Sequence, residues 1–243
     1  MPVTKILFFL ILLLASCMRQ KKEVTLLYDD YSSLNRGPLT TGYGAHTEYH
    51  YFPEAAPKGN WAVSTFRYNL PPSWYVRELD HQRVLYQSDI NIDLHWHPMV
   101  ITGHRLWKDY TVRIAFMPEL KGYRSGIVFR YQHDRCYYLL GVKNDTAFLD
   151  VVKHATAFRN PFRKTLAKDR YERDTLKFIR VEISLQEDLI KAGIEGGPSF
   201  SVYDTTFHSG KTGFLADGPA AFGPVEIITD RKEKKRLDEL LSA

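Results

Sequence analysis

Five polar side chains alternate with four apolar ones in Asp89-Ile90-Asn91-Ile92-Asp93-Leu94-His95-Trp96-His97. In an extended strand this pattern places Asp89, Asn91, Asp93, His95 and His97 on one face, each about 6.5–7 Å from the next, and Ile90, Ile92, Leu94 and Trp96 on the other. Carboxylates accept and imidazoles donate, so the row could hydrogen-bond sugar hydroxyls. Asp93, His95 and His97 could instead supply metal ligands with help from a neighbouring strand. The third alternative is an ordinary wet sheet face. Asp89, Asn91 and Asp93 match the opening of a calcium-binding helix-loop-helix, but the glycine and distal glutamate of that loop are missing.

Two arginines add to the list. Arg113 and Arg130 occupy polar phases of strand-like runs, opposite Val112/Ile114 and Ile127/Phe129. A planar guanidinium there suits a uronate carboxylate or sugar hydroxyls; the alternative is a salt bridge to Glu182 or Asp150. Trp96, Tyr131, His133 and Tyr137 are candidates for stacking on a sugar ring, although most of the chain's aromatic residues must pack the core. No phosphate-cradling glycine loop, Gly-x-Ser-x-Gly elbow or His-Glu-x-x-His string occurs.

The elements that must position these residues read mainly as strands. Period-two or short apolar runs occur at 61–66, 84–86, 110–117, 126–131, 136–142, 147–152, 176–185, 189–194, 200–203, 212–216 and 222–228. Lys143-Asn144-Asp145-Thr146 is a tight-turn signal that predicts a hairpin. Residues 154–175 carry six cations and Pro161 and read as a basic loop with a helical turn. Only 230–241 has a helical pattern, with Leu237, Leu240 and Leu241 grouped. Many short strands with turns between them predict an all-β, two-sheet antiparallel sandwich with a short C-terminal helix. The body is expected at 61–229, after a tether and irregular lead-in at 17–60 and before a helical tail at 230–243.

The first residues give an address. Lys5 precedes an apolar run from Ile6 to Leu14, too short for the roughly 20 residues of a membrane span. It reads as a signal peptide over residues 1–16. Small residues lead to Cys17 in Leu14-Ala15-Ser16-Cys17, which resembles a bacterial lipobox. Cys17 is then the acylated first residue of the mature protein, tethered to the cell envelope on the periplasmic or surface side. A plain secretory signal is the alternative. With Cys17 lipidated, Cys136 has no intramolecular partner for a disulfide and is expected to be a small buried hydrophobe.

Composition narrows the classes further. The 243 residues are 44% hydrophobic and 25% charged, which excludes a disordered chain. The net charge of +5 owes much to Lys21, Lys22 and the 231–236 run, so it describes no single nucleic-acid-binding face. A secreted, tethered protein that does not bind nucleic acid is expected.

Trp107-Lys108-Asp109-Tyr110-Thr111, then Ser125 to Tyr131, then Cys136-Tyr137-Tyr138-Leu139-Leu140, resemble the concanavalin A-like jelly roll. Gly210 to Ala216 and Ala221 to Ile227 look like its last two strands. The version resembled is the laminin-G-like form of bacterial carbohydrate-processing lipoproteins and of the leading module of some polysaccharide lyases. It covers roughly residues 60–228. The resemblance implies that Arg113 and Arg130 line a concave sheet, and that the protein binds a polysaccharide or oligosaccharide, including acidic ones. It implies no cofactor, although a structural calcium ion stays open. The alternatives are a glycoside hydrolase or polysaccharide lyase using His95, His97 or Glu182 near Arg130, and a structural lipoprotein that contacts another protein. The glycosidase form of the fold carries Glu-x-Asp-x-x-Glu; here Glu78-Leu79-Asp80-His81-Gln82-Arg83 ends in arginine, so the second carboxylate of a retaining pair is missing.

Overall fold

The computed structural model describes residues 23–39, 58–64, 73–91, 97–153 and 162–242. Its strands are β1 (Glu23–Asp29), β2 (Gly37–Pro38), β3 (Ala62–Ser64), β4 (Trp74–Leu79), β5 (Gln82–Gln87), β6 (Met99–Thr102), β7 (Thr111–Pro118) and β8 (Ser125–His133). They continue with β9 (Cys136–Lys143), β10 (Thr146–Lys153), β11 (Phe162–Arg170), β12 (Ile179–Gln186), β13 (Leu189–Ile194), β14 (Ser199–Tyr203), β15 (Lys211–Ala216) and β16 (Ala220–Asp230). One helix, α1 (Arg231–Ser242), follows.

All pairings are antiparallel. The larger sheet has nine strands in the order β14-β13-β12-β7-β16-β5-β4-β2, with β1 also on β16; the smaller has seven, β11-β10-β9-β8-β15-β6-β3. Strict alternation makes β7 and β12 bury every second residue. Val112, Ile114, Phe116, Val181 and Ile183 thus meet Ile127, Phe129, Tyr138 and Leu140 of the facing sheet in one core. The sheets are joined by an aromatic stack: Phe214 of β15 lies on Phe222 of β16 with centroids 4.6 Å apart, and Trp61 adds a ring at 4.9 Å from Phe214.

Strands β8, β9 and β10 are buried on both faces, which is why they read as continuous apolar runs rather than as alternations. The expected hairpin is present, with Thr146 paired to Lys143 and Asn144 at φ 52° in its turn. Helix α1 is capped by Asp230, whose Oδ1 accepts the Glu233 N–H at 2.9 Å. Leu237 is buried, while Leu240 and Leu241 stay exposed.

Three readings need correction. Within the basic segment, Phe162–Arg170 is not loop but an edge strand on β10. Its side chains are mostly exposed, so no apolar alternation marked it, and its charges protect a free sheet edge. The lead-in contributes β1, paired along β16, and β2. The 89–97 alternation also fails where it is visible, because Asp89, Ile90, Asn91 and His97 lie outside the strands. Ile90 is 50% exposed and Asn91 only 8%, the reverse of the expected phase. Asn91 is drawn inward because its N–H donates to the Asp217 carbonyl and its amide to the Asp217 carboxylate. Residues 92–96 lie outside the described residues, as do Cys17 and the leader.

Candidate functional site on the outer face of the seven-stranded sheet

The register of the seven-stranded sheet lines up side chains on the face turned away from the core. One row runs Phe148, Gly141, Gly126, Leu215, Met99 and Ser64; the next runs Asp150, Leu139, Val128, Gly213, Ile101 and Ala62. Most of these apolar members form a second buried cluster, separate from the core between the sheets. The two glycines of the first row keep the floor low: a Cβ on Gly141 would meet the Phe148 ring at 2.6 Å, and one on Gly126 the Leu140 carbonyl oxygen at 2.1 Å.

A polar hub closes one end of this face. The Asp217 carboxylate accepts from Arg124 Nε at 2.8 Å, His97 Nδ1 at 2.7 Å and Asn91 Nδ2 at 3.1 Å. With Nδ1–H given to Asp217, His97 Nε2 is the acceptor for Arg124 Nη2 at 2.9 Å, which assigns a neutral imidazole. Burial, reinforced by the Arg124 charge, pushes the His97 pKa down. Burial alone would raise the Asp217 carboxyl, but His97, Arg124 and the Asn91 amide outweigh it and hold the group far below the usual carboxylate range.

Beside the hub lies a pocket of 230 Å³ lined by Arg124, Lys143, Thr146, Phe148, Asp150, Arg163, Thr165 and Lys168, with Asn144 at its rim. Thr146, Phe148 and Asp150 are alternate residues of β10 and share its face. A register shift between Leu149 and Asp150 lets β11 set Lys168 opposite Phe148 and Thr165 opposite Asp150. Without that bulge, two residues three apart would point to opposite faces. Asp150 is 2% exposed; its Oδ2 is 3.8 Å from Arg163 Nε, and its Oδ1 has no hydrogen-bond partner. Burial raises its pKa.

The residues singled out from sequence are dispersed. Arg113 and Arg130 do not share a sheet: the first is on β7 of the nine-stranded sheet, the second on β8 of the seven-stranded one. Arg113 is ion-paired to Glu182 at 2.8 Å, Glu23 at 2.9 Å and Glu226 at 3.3 Å. Arg130 is fully buried and donates to the Phe207 carbonyl at 2.9 Å and to the Glu187 carbonyl, so it clamps two loops. Glu182 is therefore a partner of Arg113 and not a neighbour of Arg130 on one face. Tyr131 is buried with its hydroxyl on Ser64, and Tyr137 is 1% exposed, so neither offers an open ring face. His133 stands at the β8–β9 turn, at the far end of β9 from the pocket. Only His97 joins the site, as part of the hub; His95 and Trp96 lie outside the described residues. Among the described residues no three His, Cys, Asp or Glu side chains are grouped as metal ligands.

Arg124, Asp150, Asp217 and Phe148 carried no local signal, because they converge only through strand pairing. A wider groove of 1120 Å³ crosses the outer face of the nine-stranded sheet, past Arg113, Arg180, Tyr28 and Phe178. Its arginines are already matched by acids, Arg113 as above and Arg180 by Glu195 at 3.4 Å.

No protein-family model matches the chain, and no curated protein matches it. Solved structures do. The carbohydrate binding module CBM66 from Bacillus subtilis aligns with a TM-score of 0.51 at 14% identity, over 69% of this chain and 94% of that one. A glycoside hydrolase family 16 endo-glucanase from Bacteroides ovatus aligns with a TM-score of 0.52 at 11% identity, over 83% of this chain and 99% of that one. With its two antiparallel sheets, their strand order and this likeness, the chain is a jelly-roll sandwich of the concanavalin A-like kind.

Proposed function

We propose that the protein binds a carbohydrate in the pocket at the β10–β11 end of the seven-stranded sheet, as a lipid-anchored module of the bacterial cell envelope. The observation that carries this reading is the pocket's lining: threonine hydroxyls and long cationic donors stand beside the Phe148 side chain, in 230 Å³. A sugar needs that combination of hydrogen-bonding groups and apolar surface. The volume is below the roughly 300–1,000 Å³ of sites that engulf drug-sized ligands, so it takes one residue of a longer glycan. The names of the two similar folds, a carbohydrate binding module and an endo-glucanase, support a role in glycan capture or processing.

The test is retention of the detergent-solubilised full chain on a panel of immobilised polysaccharides, with Thr165→Tyr as the blocked control. Thr165 is exposed on β11, so a tyrosine fills the pocket without entering the core. Retention by the wild type that is lost in Thr165→Tyr supports the site. A silent panel, or equal retention of the blocked variant, overturns it.

A further inference from the structure

The pocket's charge and its one unpartnered oxygen go beyond general sugar recognition. Arg124, Lys143, Arg163 and Lys168 stand around a single carboxylate, Asp150. Arg124 is committed to Asp217 inside the protein, whereas Arg163 reaches Asp150 only at 3.8 Å. Lys143 and Lys168 sit on the exposed rim. The wall is thus cationic and open, and its floor holds a buried acceptor, Oδ1 of Asp150, with nothing donating to it. A buried carboxylate oxygen left without a donor is costly unless something supplies one.

We infer that the pocket selects an anionic sugar residue, whose carboxylate or sulfate docks against Lys143, Arg163 and Lys168 while one of its hydroxyls donates to Oδ1 of Asp150. This rests on the glycan-binding reading above. The two halves of the site make opposite demands, and one ligand meets both. Cations alone would accept any anion, including phosphate or a free carboxylate. A carboxylate beneath them repels a bare anion that penetrates to the floor, but it accepts a hydroxyl. A ring carrying an acidic group at one edge and a hydroxyl at another satisfies the rim and the floor together. The bulge of β11 sets this geometry, because it turns Lys168 and Thr165 to the same side as Phe148 and Asp150.

Calorimetric titration of the full chain in detergent with polygalacturonate, κ-carrageenan and a neutral galactan tests the inference. Polygalacturonate carries only carboxylates and carrageenan only sulfates, so the two arms identify the acidic group. The expected result is binding of at least one acidic glycan, with the neutral galactan about tenfold or more weaker. Raising NaCl from about 50 to about 500 mM should weaken the acidic ligand severalfold. Lys168→Ala and Asp150→Asn should each weaken it about tenfold, the effect of losing one charge-assisted hydrogen bond. Lys168 is exposed, so its variant tests the site even if Asp150→Asn folds poorly. Equal affinity for the neutral galactan overturns the anionic class but leaves glycan binding standing. Acidic-glycan affinity untouched in both variants overturns this site. No binding to any of the three overturns the glycan reading together with the inference.

Discussion

Asp217 is the side chain that gathers the polar hub at one end of the outer face. It is buried, ionised and shared by Arg124, His97 and Asn91. Asp217→Asn removes the charge that balances buried Arg124, and is expected to cost about 3–5 kcal/mol in a urea melt. Its folded pKa lies below the unfolded value of 3.8, so its contribution is present above that value and is lost as pH falls from there toward the folded pKa. His97 acts in a higher window. Its folded pKa also lies below its unfolded value of 6.5, so the folded state binds that proton less readily and stability declines as pH drops below 6.5. His97→Gln should flatten the melting-temperature profile below pH 6.5 and also weaken the more acidic limb, because the imidazole helps hold the Asp217 carboxyl down. Asp150 has the opposite sign: its folded pKa is raised above 3.8, so its ionisation opposes folding as pH rises. Asp150→Asn is expected to keep or raise the melting temperature at neutral pH; a fall of several degrees would show that the contacts of Oδ2 outweigh the cost of burying the charge. Arg130 differs from all three, because it meets carbonyls rather than acids. Arg130→Ala should lose on the order of 2–4 kcal/mol of stability with glycan affinity intact.

At the scale of strands, the sandwich depends on alternation in some places and on flatness in others. Phe129 is fully buried and stacked on Tyr138 at 5.3 Å. Phe129→Ala is therefore expected to cost about 3–5 kcal/mol by chemical denaturation. Glycine matters where β8 and β9 lie side by side. Gly126→Ala drives a methyl into backbone that cannot move aside, whereas Gly141→Ala meets side chains, the tip of the Phe148 ring and then Leu139. The first should melt well below the second, and Gly141→Ala should chiefly disturb the pocket. This contrast marks what sequence alone can convey. Val181 and Ile183 are legible as core because the alternation of β12 survives in isolation, and Ile127 and Phe129 because they stand in a continuous apolar run; all four are buried. Strand β11 was not, since an exposed edge has no apolar phase to read. The pocket was not either: Asp150 and Lys168 are 18 residues apart in number and become neighbours only after the bulge sets the β10–β11 register. Arg113 and Arg130 showed the converse. Similar local phases placed them on different sheets, one in a surface ion cluster and the other in a buried clamp.

For the molecule as a whole, the proposed envelope address rests on the lipobox-like run that ends in Cys17. Cys17→Ala is expected to shift the protein from the membrane to the soluble fraction, or to leave it unprocessed, because acyl chains contribute about 0.8 kcal/mol per buried CH₂. Equal membrane partitioning of a processed variant would remove the anchor from the account. Among the described residues no helix is long and apolar enough to hold a bilayer on its own. The topology also constrains the order of assembly. The last strand of the chain, β16, is the hub of the larger sheet, bonded to β1, β5 and β7, and its Phe222 supplies the stack that binds the two sheets. A chain emerging N-terminus first holds β1, β5 and β7 with no means of joining them until residues 220–230 arrive. The nine-stranded sheet is thus completed late: β7, β12, β13 and β14 pair without β16 but join β5, β4 and β2 only through it, and contacts of such wide sequence separation form slowly. Loss of residues 220–230 would therefore split the larger sheet into separate pieces, so the stretch of the body made last decides whether the sandwich can close.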